Sequence, residues 1–107
     1  MIDPIEIIVN ENDGIFGGFD NERFQTVKDY LDMVLSYAYG RATNQHKSPN
    51  QFAMKMEGLS GADTAAWILS QSGYVDTKTE AIYATEKGIK FMEDHYSGQE
   101  LFGVKIR

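Results

Sequence analysis

The chain has 107 residues, 42% of them hydrophobic and only two of them proline, which suits one packed domain and argues against disorder. It has no cysteine, which excludes disulfides, thiol nucleophiles and thiolate zinc sites, and no apolar run approaches membrane-spanning length. The net charge of −6 lies in the first third: residues 1–32 hold eight acids against Arg23 and Lys28, whereas residues 33–107 hold eight acids and eight bases. Such a chain is repelled by nucleic acid unless a local basic patch outweighs that field.

The acidic start MIDPIEIIVNEND is unlike a signal peptide, so a cytoplasmic protein is expected. Within it IEIIV (5–9) is short and β-branched and predicts a strand; NENDG (10–14) is a turn cluster, and IFGGF (15–19) is a candidate second strand of a hairpin. From Asn21 the period changes. Phe24, Val27, Leu31, Val34, Leu35 and Ala38 recur in steps of three and four, predicting an amphipathic helix of about 18 residues with Gly40 as its stop. RATNQHK (41–47) is then a polar loop.

Ser48-Pro49-Asn50-Gln51 has the form of a helix start, with Ser as cap, Pro at the first position and Gln51 completing a capping box. Phe52, Ala53 and Met56 supply its apolar face before Gly58. Ser60 caps a third helix, with Asp63 in its first turn, running to about Ser72 and stopped by Gly73. Tyr74–Asp76 and Ala81–Ala84 predict a hairpin around TKTE; Thr85-Glu86-Lys87 opens a last helix carrying Ile89, Met92 and Tyr96 on one side and ended by Gly98. LFGVKI (101–106) predicts a terminal strand, which could pair with GIFGG and clasp the two ends together.

This order, three helices, a hairpin and a helix, resembles a winged helix-turn-helix domain. The likeness includes Ala65 or Ala66, Leu69, Gly73, Tyr74 and Val75 at that family's helix-to-hairpin spacing, and Ala84-Thr85-Glu86-Lys87-Gly88 in place of its Leu-Thr-x-x-Gly helix start. It covers residues 24–96. The fold expected is therefore α+β: a winged-helix core over 21–96, an acidic N-terminal β-hairpin extension over 1–20 and a C-terminal strand within 97–107, as a single domain. The resemblance implies a binding protein, most often for DNA, with residues 60–72 as reading helix and 77–80 as wing tip. It transfers fold more safely than function.

The reading helix is chemically odd for that role. No Lys or Arg occurs from Glu57 to Asp76. If Ala62, Ala66 and Leu69 face the core, the far side carries Thr64, Trp67, Ile68 and Gln71. Three readings follow: this second face is covered by the N-terminal segment, it is a protein interface anchored by Trp67 and Ile68, or it touches DNA with phosphates gripped elsewhere. The candidate grip is the acid-free stretch Tyr39–Lys55, with Arg41, Lys47 and Lys55 for phosphates and Asn50, Thr64 and Gln71 for bases. A solvated loop with incidental cations is the competing account of that stretch.

Chemistry is not signalled. His46 and His95 have no ligand spacing, and Glu93-Asp94-His95 occupy successive helix positions that diverge. NENDG puts Val9 where a calcium loop requires a carboxylate, and GIFGG lacks the Lys-Ser/Thr of a phosphate loop. The expectation is a non-catalytic protein with no metal, cofactor or small-molecule ligand. Two function classes stand: a small DNA-binding transcriptional regulator, or a protein-binding or homodimerising module, of which an acidic inhibitor is one version.

Overall fold

The computed structural model describes residues 4–11, 21–45, 62–77 and 82–107. Among these residues the chain is α+β, with four helices and two small antiparallel hairpins: α1 (Ile5–Glu11), α2 (Asn21–Ala42), α3 (Ala62–Gln71), β1 (Val75–Asp76), β2 (Tyr83–Ala84), α4 (Glu86–Tyr96), β3 (Glu100–Leu101) and β4 (Val104–Lys105). The helix expected over 48–56, the strand over 15–19 and most of the TKTE turn lie outside the described residues.

The long helix α2 is the spine. Leu31, Val34, Leu35 and Ala38 are fully buried along it, at the spacing its sequence predicts. Against them pack α3 through Ala65, Ile68 and Leu69, α4 through Phe91, Met92 and Tyr96, and the hairpins through Val75, Ala84, Val104 and Ile106. Gly40 does not end α2 but is buried within it, and the helix runs on to Ala42. The stop is Asn44, left-handed at φ 60°, with the amide of Gln45 donating to the Gly40 carbonyl at 2.8 Å and that of Asn44 to Arg41 at 3.3 Å. Asn takes here the role that glycine usually has.

The segment IEIIV is a helix, not a strand. Pro4 suits a first helical turn, and the Ile7 amide donates to its carbonyl at 3.0 Å. Ile5, Ile8 and Val9 are buried at i, i+3 and i+4. A helical period was therefore hidden inside a run too short to distinguish from a buried strand. So short a helix is held by packing, not by propensity. Its far end is tied down: the buried Tyr74 donates its hydroxyl to the Glu11 carboxylate, 3.0 Å from each oxygen, and Lys87 lies 3.7 Å from Glu11.

Gly73 stops α3 as expected, left-handed at φ 83°, with the Tyr74 amide donating to the Leu69 carbonyl at 2.9 Å and the Gly73 amide to Ser70 at 3.1 Å. Leu69 and Tyr74, both buried, occupy the two positions whose apolar contact accompanies this motif. The β1–β2 hairpin pairs Val75 with Ala84, facing the core, and Asp76 with Tyr83, facing out. Thr85 then caps α4, its hydroxyl accepting from the Gly88 amide at 3.2 Å and donating to the Gly73 carbonyl at 2.6 Å.

LFGVKI is not one strand. It is most of a hairpin folded on itself, with Glu100 opposite Lys105 and Leu101 opposite Val104. Phe102 and Gly103 form the tip, both left-handed at φ 53° and 79°, the backbone of a type I′ turn. The outer edge of β4 is paired by a side chain: Gln45 donates to the Lys105 carbonyl at 2.7 Å and accepts from its amide at 2.8 Å. That bidentate bridge closes a strand edge that would otherwise be open.

Candidate functional site

The sequence puts Trp67 and Ile68 on one outward face of α3, and the structure separates them. Ile68 is 1% exposed and belongs to the core against α2, whereas Trp67 is 52% exposed. Rotation explains the split: α3 buries Ala65, Ala66, Ile68 and Leu69, an arc wide enough to include position 68 but not 67. Ile68 is therefore a core residue and not part of an outward interface. Trp67 is not covered by the N-terminal helix, which packs on α2. Gln71, one turn beyond Trp67, is also exposed.

Of the residues expected to contact DNA, Lys47, Asn50 and Lys55 lie outside the described residues, as does the side chain of Thr64. Arg41 is half-buried at the end of α2, with its guanidinium carbon 5.0 Å from the centroid of the Tyr83 ring. Its Nε is buried and finds no hydrogen-bond partner among the described residues. The exposed edge of the hairpin beside it carries Asp76, which is cross-strand from Tyr83.

A cleft of about 260 Å³ opens between the end of α3 and the hairpin, lined by Ser70, Val75, Asp76, Thr77 and Thr85. Among the described residues Asp76 is the one ionisable group lining it, and the Thr85 hydroxyl is committed to Gly73 and Gly88. Among the described residues this lining has no acid–base pair and no nucleophile with a base beside it. Glu93, Asp94 and His95 go three ways: Glu93 accepts from the Tyr39 hydroxyl at 3.4 Å, Asp94 pairs with Lys90 at 3.5 Å, and His95 lies on Phe91 with ring centroids 4.7 Å apart. Among the described residues no group of three potential ligands gathers to hold a metal ion. Nor, among them, is any helix long and apolar enough to cross a membrane.

One strongly perturbed ionisable group is structural. Burial, then the hydrogen bond and negative charge of Glu11, push the Tyr74 hydroxyl well above the ordinary tyrosine range. The Lys87 ammonium sits 4.4 Å from the centre of the same ring and donates to the Ser72 carbonyl at 2.7 Å. This cluster joins α1 to the start of α4, and sequence reasoning missed it because Glu11 lies 63 residues from Tyr74. No family model, no curated protein and no solved structure matches the chain.

Proposed function

We propose that the chain is a non-catalytic binding protein of winged helix-turn-helix architecture, with α3 presenting Trp67 to a protein partner. The order α2, α3, hairpin and α4, the Gly73 stop and the Thr85–Gly88 junction support that architecture. The observation that carries the function is Trp67 itself, half exposed on a helix without a single cation. A tryptophan brings roughly 150–250 Å² of surface to an interface and is among the commonest energetic anchors there. With a net charge of −6, the chain suits a partner whose socket for Trp67 has a basic rim.

The second reading is a DNA-binding regulator using Arg41, Lys47, Asn50, Lys55, Thr64 and Gln71. The acid-free stretch 39–55 and the exposure of Gln71 favour it. It is the weaker of the two because α3 itself offers no cation for the backbone of a duplex.

A photo-crosslinking residue at position 67, compared with one at the exposed Asp94, separates these readings in an extract of the native host. Capture of one basic protein at 67 alone, competed by unlabelled chain but not by Trp67→Ala, is the expected result. Capture of DNA at 67, together with salt-sensitive duplex binding lost in the Arg41, Lys47, Lys55 triple alanine variant, would replace the protein reading with the regulator.

A further inference from the structure

Acids are absent from residues 33–56 and from residues 101–107. The fold bonds the described part of the first to the second. Gln45 holds both backbone groups of Lys105, and the Arg107 amide donates to the Tyr39 hydroxyl at 3.1 Å. The side chains of Lys105 and Arg107 are thereby exposed beside the end of α2 that carries Arg41. None of these three cations forms an ion pair among the described residues. The acids nearby are Glu100, across the hairpin from Lys105, Glu93, which accepts from Tyr39, and Asp76, cross-strand from Tyr83.

Aromatic rings run along the same region. Phe102, at the tip of the hairpin, is 48% exposed and meets Tyr37 edge-on with centroids 6.1 Å apart. Tyr37 and Arg41 are one turn apart on α2, and Arg41 lies over Tyr83, which is 38% exposed. The result is a strip of Phe102, Tyr37, Arg41 and Tyr83. Phe102 is an odd choice for a type I′ turn, which favours Asn, Asp or Gly at left-handed positions. A bulky ring held there under backbone strain, with half of it in water, points to a use outside the fold.

We propose that this strip binds single-stranded nucleic acid, with bases stacking on Phe102 and Tyr83 and phosphates held by Arg41, Lys105 and Arg107. Stacking platforms set among cations are the chemistry by which unpaired strands are held. An acidic peptide would use the cations and leave both rings idle, and a duplex keeps its base faces covered. The strip does not include Trp67, so it stands or falls independently of the protein interface proposed above.

The test is fluorescence anisotropy of a labelled oligothymidine of about 12 nucleotides, long enough for a short single-strand site, titrated with the full chain from about 50 mM salt upward. Three phosphate contacts predict a log–log salt slope of about −2. Phe102→Asn should weaken binding about 10-fold while leaving the fold intact, because Asn accepts the left-handed turn. Tyr83→Thr, which keeps a strand-forming residue, should act in the same direction. Removing the charges of Lys105 and Arg107 with Gln should flatten the slope by about 1.4. Trp67→Ala should change nothing. The proposal is overturned if the oligonucleotide does not bind, if poly-glutamate competes as well as oligothymidine, or if neither aromatic variant matters. It is likewise overturned if Phe102→Asn instead abolishes a concentration-dependent dimer, since the strip would then join copies of the chain.

Discussion

Replacing Gly88 by Ala should destabilise the protein although it improves a helix. Gly88 lies in the first turn of α4, where Ala is favoured over Gly by about 1 kcal/mol in an unhindered helix. A Cβ at this position would fall 2.1 Å from the Tyr74 carbonyl oxygen, 3.1 Å from its carbon and 3.4 Å from the Ala84 Cβ. Ordinary C···O contact begins at about 3.3 Å, so helix and hairpin must part by about 1 Å. The carbonyl cannot swing aside, because it accepts from the Thr85 amide at 3.0 Å. Overpacking costs roughly 1–3 kcal/mol where neighbours can adjust, and backbone against backbone belongs at or above the upper end. Subtracting the helical gain leaves a loss of about 2 kcal/mol, or roughly 8–16 °C in Tm for a domain of this size. Thermal melts followed by circular dichroism measure it, with urea midpoints as a second readout. A Tm equal to or above that of the parent would refute the close approach and leave helix propensity as the only effect at Gly88.

Neighbouring residues of α3 should respond oppositely: Ile68→Ala should cost about 2–4 kcal/mol as a core cavity, and Trp67→Ala should stay within about 0.5 kcal/mol, both by urea unfolding. Because the folded Tyr74 hydroxyl ionises above its unfolded counterpart, its contribution is whole below about pH 10 and declines as pH rises beyond that. Urea midpoints at about pH 9 and pH 11 should therefore fall less in Tyr74→Phe than in the parent, and equal falls would remove Tyr74 as the cause. Gln45→Ala should leave both Lys105 backbone groups to solvent at a cost of about 1–2 kcal/mol, read most directly as faster hydrogen exchange of the Lys105 amide, with unchanged exchange counting against the bridge.

Much of the architecture was legible where a local rule decides it. The three- and four-residue steps of α2, the Gly73 stop, the Thr85 start of α4 and its Gly98 end each depend on residues within a few positions of one another. Legibility failed where two local rules compete. IEIIV satisfies a strand by composition and a helix by burial, and only the α2 surface beneath it selects the helix. LFGVKI held no conventional turn signal, since the residue that makes its I′ turn alongside Gly103 is a phenylalanine. Asn44, rather than Gly40, ended α2 because burial of Gly40 in the core favoured continuing the helix past it.

The candidate site divides in the same way. Composition alone determined that α3 lacks cations and that acids are missing from 33–56 and 101–107, because charge is a property of residues wherever they sit. Which apolar residues of α3 stay outside was decided only by how far the helix rotates against α2, and that rotation buried Ile68 and left Trp67 in solvent. The meeting of Arg41 with Tyr83, and of Gln45 with Lys105 across 60 residues of sequence, likewise had no local signal. Contacts between distant segments depend on where the whole core sets each element, and no short window of sequence contains that information.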